Sequence, residues 1–330
     1  MTTKNSMVAV VSHGDSAPFV RETLARPTAG PGQVLVRIKA SGVNPLDLKI
    51  RSGKAAHAKH PLPAVLGMDL AGTVEAVGAE VTAFAPGDEV YGLTGGVGGL
   101  QGSLAEFAAV DADLLAPKPA NLTMREAAAI PLVFITAWEG LVDRAEVHAG
   151  QKVLVQGAGA VGQMVIQTAR AFQAEVYAVD KSAQRSSIEQ LGATAIDRHR
   201  FTVEEYVDDH TKGRGFDIVY DTVGALDASF NAVMRFGRVV SCLGWSTHSL
   251  APLSFRAASY SGVFTLLPML TGQGRAHHGQ ILREATRLAE AGKITPRLDP
   301  RRYTFNSVAD AHRAIEDRSA VGKIVVDIDE

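Results

Sequence analysis

The sequence predicts an α/β fold, a doubly wound parallel sheet inserted in a mostly β, partly barrel-like domain. Three observations predict it. Short alternating runs separated by turn residues fill the first third of the chain. Beyond it, near-continuous apolar runs alternate with helical segments, as in a parallel sheet covered on both faces. A Gly-x-Gly-x-x-Gly run joins one such strand to one such helix. The length of 330 residues fits about two domains at ~150 residues each.

The β-rich part comes first. Gln33 to Val43 places Val34, Val36, Ile38 and Ala40 at alternate positions, the period of a half-buried strand. Ala71 to Gly78, Gly87 to Leu93 and Ala105 to Pro119 read as further strands, with Pro86-Gly87-Asp88 as a turn. Their spacing predicts an antiparallel, partly closed sheet.

The pattern changes near Asn121. A helix is expected after Thr123, its N-cap, with Glu126 as the capping-box partner. Lys152 to Gly157 is an apolar strand, and Ala160 to Gln173 has helical spacing. Glu175 to Asp180 is a strand, followed by a helix ending at Gly192. Phe216 to Gly224, Gly237 to Gly244 and Ser259 to Leu267 complete the expected strands. A helix over roughly His277 to Ala291 follows. The final run from Thr304 to Ile328 reads as strand-like, and Lys323 to Ile328 needs a sheet to join.

Composition excludes several classes. Lys plus Arg number 33 and Asp plus Glu 35, so the net charge is −2 and gives no footprint for nucleic acid or an acidic membrane. With 46% apolar and 21% charged residues, the chain is neither disordered nor fibrous. A single cysteine, Cys242, rules out an internal disulfide framework and any multi-cysteine zinc site. The opening run, Met7 to Val11, is too short for a secretory core, and no apolar stretch approaches the ~20 residues of a membrane span. A cytoplasmic protein without membrane partners is expected.

Gly157-Ala158-Gly159-Ala160-Val161-Gly162 follows a strand and opens a helix. That context makes it a dinucleotide-binding loop of the Rossmann type: one glycine for the turn, one for backbone approach to the pyrophosphate, one for helix–strand packing. The helix N-terminus offers free N–H groups to phosphate. Asp180 ends the next strand, 18 residues after Gly162. An acid there binds the ribose diol and repels a 2′-phosphate, which leans toward NAD. Lys181, Arg185 and Arg198 are cations near enough in sequence to hold a 2′-phosphate instead, so NADP stays open. Val223 and Gly224, and then Leu243 and Gly244, end parallel strands where such cofactors bind.

Beyond these signals the chain resembles the medium-chain dehydrogenase/reductase superfamily, in its zinc-free quinone-oxidoreductase (zeta-crystallin-like) branch. The resemblance rests on Ser41 to Gly53 (SGVNPLDLKIRSG), Leu66 to Gly78 (LGMDLAGTVEAVG), Pro86 to Gly92, Gly102 to Val110, the glycine loop and the terminal AVGKIVVDI. It implies a GroES-like catalytic domain built from residues 1–123 and 268–330 around a Rossmann NAD(P)-binding domain at 124–267. It also implies that Thr136 packs beside the nicotinamide and that Phe264 lies near the carboxamide. Zinc-dependent relatives carry Cys-His where Asn44-Pro45 stands, Gly-His-Glu at Gly67-Met68-Asp69, and a third ligand near Leu132. Asn, Met and Leu do not make a zinc shell, so no metal is expected. His57 and His60 read as a loop pair, and His277-His278 as surface.

Without a metal, a hydride enzyme selects acceptors that are already electron-poor. The resemblance therefore implies an NAD(P)H-dependent reductase of quinones or α,β-unsaturated carbonyls. Relatives place Tyr, or in some branches Lys, where Lys49 stands. Lys49 is thus the candidate donor to a developing oxyanion, and Asn44 the group that orients substrate or nicotinamide ribose. Asp47 is expected to cap or pair locally, and Asp69 to pair with a nearby cation. Trp245 and Tyr260 are either core or walls of an aromatic pocket. The apolar edge strand near Ser259 implies at least a homodimer. The alternative function is a pyridine-nucleotide-binding structural or sensor protein with little turnover.

Overall fold

The computed structural model describes residues 5–15 and 17–328. Met1 to Lys4, which precede the N-terminal apolar run, lie outside the described residues.

The chain runs through β1 (Ser6–Ser12), β2 (Phe19–Ala25), β3 (Gln33–Gly42), α1 (Pro45–Arg51), β4 (Ala64–Val65), β5 (Asp69–Val77), β6 (Glu89–Leu93), β7 (Phe107–Asp111), β8 (Leu115–Pro117) and α2 (Met124–Ala128). Next, α3 (Pro131–Trp138) passes into a π-helical turn, Glu139–Arg144. There follow β9 (Lys152–Gln156), α4 (Ala160–Ala171), β10 (Glu175–Asp180), α5 (Arg185–Gln190), β11 (Thr194–Asp197), α6 (Val203–Thr211), β12 (Phe216–Asp221), α7 (Leu226–Ala232), β13 (Val233–Ser241), α8 (Ala251–Ser254) and β14 (Ser259–Gly262). The tail holds α9 (Leu267–Thr271), α10 (Arg275–Glu290), β15 (Tyr303–Thr304), α11 (Val308–Glu316) and β16 (Val325–Asp327).

These elements fall into two units, Met1–Leu132 with Leu266–Glu330, and Val133–Thr265. The division lies at 132/133 and 265/266, whereas sequence analysis expects 123/124 and 267/268.

In the first unit, β3 is the central strand. It pairs antiparallel with β5, β7 and β16, and its inward residues Val34, Val36, Ile38 and Ala40 are fully buried. The register Val325↔Gly42 brings the chain end beside the segment that leaves β3 for α1. A second sheet, β2-β1-β4, is antiparallel.

In the second unit, six strands run parallel in the order β11-β10-β9-β12-β13-β14. Growth of the sheet reverses between β9 and β12, the switch point at which open α/β sheets bind ligands. Leu154, Phe216, Val219 and Phe230 fill its core.

Several expectations are corrected. The stretch Ala105 to Pro119 is two strands, β7 and β8, separated by a 3-10 turn in which Asp111 accepts the N–H of Asp113. The helix after Thr123 is broken at Pro131, because proline cannot supply the N–H an α-helix interior needs. The last strand of the parallel sheet stops at Gly262 rather than Leu267. The strand-like reading of Thr304 to Ile328 fails in its middle: Val308, Ala311 and His312 recur at helical spacing and are buried on α11. His278 is fully buried on the inner face of α10, not at the surface. Among the described residues no helix is long and apolar enough to cross a membrane.

Candidate functional site

The glycine loop connects β9 to the 12-residue α4. Gly157 has φ +90°, and an added Cβ would lie 2.3 Å from Val223. At Gly162 a Cβ would meet the Gly157 carbonyl at 1.9 Å, so helix and loop pack too closely for any side chain. Gly159, the N-cap of α4, faces open space instead. Ala160 and Val161 form the first turn behind it. Such a helix start, bare of side chains at its tip, presents unpaired N–H groups to an anion.

Asp180 stands where the sequence places it, at the end of β10. Its Oδ2 accepts the Ala158 N–H at 2.7 Å and its Oδ1 accepts the Lys181 N–H at 2.7 Å. A cavity of about 270 Å³ opens beside it, lined by Gly157, Asp180, Arg198, Phe201, Tyr206 and Val223. Of the three expected cations only Arg198 lines this cavity. Lys181 points to solvent, and Arg185 pairs with Glu189 on its own helix at 3.1 Å.

The next two strand ends converge on one buried acid that sequence reasoning missed. Asp221 accepts N–H groups of Val223, Gly224 and Ala225 and the hydroxyl of Ser241. Ser241 Oγ accepts the Leu243 N–H at 3.0 Å, just before Gly244. An acid closing a buried strand was the available signal. Thr136 is buried and shares a hydrogen bond with Thr265 at 3.0 Å. Phe264 is half-buried and meets Trp245 edge-on at 6.1 Å. Trp245 is 64% exposed and Tyr260 37%, so neither is a core residue. Cys242 is half-buried, and burial pushes its thiol up to about 12, so it carries no thiolate chemistry at neutral pH.

The first unit holds a buried polar cluster. Asn44 is the N-cap of α1, and its amide is engaged with two charged side chains. Nδ2 donates to Asp69 Oδ2 at 2.9 Å, and Oδ1 accepts from Lys323 Nζ. Lys323 also pairs with Asp69 Oδ2 at 3.0 Å, while the Leu132 N–H donates to Asp69 Oδ1 at 2.8 Å. Asp69 thus has the cation the sequence called for. Asn44, by contrast, was expected to face a ligand, and both ends of its amide are taken up inside the protein.

Asp47 is the capping-box partner of Asn44. Its Oδ2 accepts the Asn44 N–H at 2.8 Å and its Oδ1 the Gly67 N–H at 3.2 Å. Burial, reinforced by the Asp69 carboxylate, raises its pKa to about 7. Lys49, one turn on, is exposed, and its ammonium has no partner among the described residues. His57 lies on a 3-10 turn and His60 in the loop after it.

The residues fit a dinucleotide on the second unit. They do not fit a zinc ion on the first. The donors at the positions in question are an amide, a thioether and a backbone N–H, and the Lys323 ammonium already lies against the one carboxylate.

Comparison with known proteins agrees with this geometry. Residues 30–120 match the alcohol dehydrogenase GroES-like domain family, residues 191–326 the zinc-binding dehydrogenase family, and residues 136–204 the NAD-binding domain of D-isomer specific 2-hydroxyacid dehydrogenases. A 2-methylene-furan-3-one reductase of Solanum lycopersicum is 37% identical over 320 residues, covering 93% of this chain and 74% of that protein. A chloroplastic NADPH-dependent alkenal/one oxidoreductase of Arabidopsis thaliana is 37% identical over 307 residues, covering 89% and 72%. The crystal structure of an alcohol dehydrogenase superfamily protein from Novosphingobium aromaticivorans superposes with a TM-score of 0.95 at 57% identity, covering 98% of this chain and 100% of that one. Sheet order, glycine loop and likeness over most of the length agree, and the chain belongs to the medium-chain dehydrogenase/reductase superfamily, in its quinone-oxidoreductase-like branch.

Proposed function

We propose that this protein is an NAD(P)H-dependent reductase of α,β-unsaturated carbonyls or quinones that works without zinc. One observation carries the reading: over about nine-tenths of its length the chain is 37% identical to two reductases named for enone-type substrates. The donor set supports the zinc-free part. Asn44, Met68 and Leu132 offer neither thiolate nor imidazole, and a lysine ammonium repels a dication.

Bound NAD(P)H supplies the hydride. The chain supplies everything else. The loop Gly157 to Gly162 and the start of α4 would hold the pyrophosphate, and Asp180 would accept the adenosine ribose hydroxyls. The carboxylate leans the site to NADH, while Arg198, in the same cavity, is the group that would carry a 2′-phosphate. Asp221 fixes the loops at 223–225 and 243–244 that would approach the ribose and nicotinamide, with Thr136 and Phe264 as their neighbours. Lys49 holds a proton at Nζ and would pass it to the acceptor once it has been reduced; its free ammonium also stabilises the oxyanion that forms.

A second copy of the chain is the proposed partner. β14 is one of the two edge strands of the parallel sheet, with Tyr260 exposed on it, and pairing with its twin would cover that edge.

The test is a steady-state screen of NADH and NADPH against a panel of enones and quinones, read as loss of nicotinamide absorbance. Turnover with at least one acceptor class supports the proposal. Tight cofactor binding without turnover on any member contradicts it.

A further inference from the structure

The cluster around Asp69 assigns a task to a residue far away in the chain. Lys323 lies 279 positions from Asn44 and 254 from Asp69, yet its ammonium touches both side chains. All three residues are buried. Lys323 reaches them because the final strand pairs with β3, and the Val43 N–H donates to the Ile324 carbonyl at 2.9 Å.

The two charges dictate how Asn44 sits. Its carbonyl oxygen must face the ammonium and its NH₂ must face the carboxylate; the flipped amide would set like against like at both ends. Gly42 permits the close fit, since a Cβ there would lie 3.0 Å from the Asp69 side chain and 2.3 Å from the Ala128 carbonyl. Asn44 is in turn the residue from which α1 starts. Its backbone N–H is held by Asp47, and Pro45 fixes the first turn. Lys49 is carried on that short helix.

We infer that Lys323 is a positioning residue for the reduction: with Asp69 it locks Asn44 and the start of α1, and thereby sets where Lys49 presents its proton. The inference rests on the reading of Lys49 as proton donor. Lys323 itself touches neither substrate nor cofactor in this assignment.

Removing Lys323 alone strands a buried carboxylate, so Lys323→Met is expected to lower stability whatever its role. The informative variant is the charge-balanced double, Lys323→Met with Asp69→Asn. It keeps a set of hydrogen-bonding amides but removes both charges that fix Asn44; with the Leu132 N–H holding the new amide's oxygen, its NH₂ faces the Asn44 NH₂ and favours the flipped amide. The experiment compares Tm, NAD(P)H affinity and kcat on an enone for wild type, Lys49→Met, the double variant and the triple variant combining them.

The expected result is a Tm near wild type for the double variant, cofactor affinity within about twofold, and kcat lower by roughly 10- to 100-fold, the scale of a misplaced catalytic group. The triple variant should be no slower than Lys49→Met, because both changes disable one device. A double variant whose kcat returns with its Tm overturns the inference and makes the cluster purely structural. Losses that multiply in the triple variant also overturn it. An unchanged kcat in Lys49→Met contradicts the proton-donor reading itself, and the coupling to Lys323 falls with it.

Discussion

Ser241 donates its hydroxyl to Asp221 at 2.7 Å, and through that single contact two separate strand ends share one anchor. Asp221 holds the turn after β12 by three backbone N–H groups, and Ser241 holds Leu243 after β13. Both turns belong to the face where a parallel sheet of this order binds its ligand.

Asp221→Asn keeps the shape but turns an NH₂ toward groups that are themselves donors. Each lost or mismatched hydrogen bond costs about 1–3 kcal/mol. NAD(P)H should bind roughly 10-fold more weakly, and kcat at saturating cofactor should change by less than about threefold. Fluorescence titration of NAD(P)H measures the first and saturation kinetics the second. A variant with wild-type affinity would show that the anchor does not serve the cofactor.

Cofactor choice should follow the pair that shares one cavity, Asp180 and Arg198. Asp180→Ser should favour NADPH over NADH by about 1–2 kcal/mol, the scale of one or two net hydrogen bonds. Arg198→Ser should weaken NADPH and leave NADH nearly untouched. The ratio of kcat/KM for the two cofactors reads both. A wild type that strongly prefers NADPH would mean that Arg198 outweighs Asp180 and that the lean to NADH is mistaken.

His312 is buried on α11 against Phe19, with neither ring nitrogen hydrogen-bonded. Burial, together with the nearby Arg51 charge, pushes its pKa down to about 3. A base whose folded pKa is depressed binds fewer protons folded than unfolded. Its contribution to stability is therefore complete above the unfolded value of 6.5 and is lost as pH falls toward 3. Between pH 6.5 and 4.5 the loss is about 2 kcal/mol. Thermal unfolding of His312→Leu across this range should show a shallower acid decline than wild type; parallel curves would place the acid sensitivity elsewhere.

Purified protein should hold no stoichiometric zinc. The cation beside Asp69 is Lys323, and the neighbouring positions lack metal donors. Elemental analysis finding one zinc per chain, with activity lost on chelation, would contradict this.

The parallel sheet and its glycine loop were legible because their signals are local: a strand, a turn that only glycine tolerates, then a helix. Asp180 was legible for the same reason. The tail shows the limit. Val308, Ala311 and His312 carry a helical period, but strand-like residues on either side masked it. His278 shares a helix face with Ile281, Leu282 and Ala285, so its burial was readable from that spacing, and the adjacent His277 obscured it. Lys323 was not readable at all. Its partners lie more than 250 positions away, and only the pairing of β16 with β3 brings them together.

Hydride transfer to the alkene carbon is read by isotope: NAD(P)D deuterated at nicotinamide C4, an α,β-unsaturated ketone and ordinary water, with the product examined by mass spectrometry and NMR. A saturated ketone should form, with deuterium on the carbon β to the carbonyl and a solvent proton on the α carbon. Deuterium on the carbonyl carbon, in an allylic alcohol whose double bond survives, would contradict it.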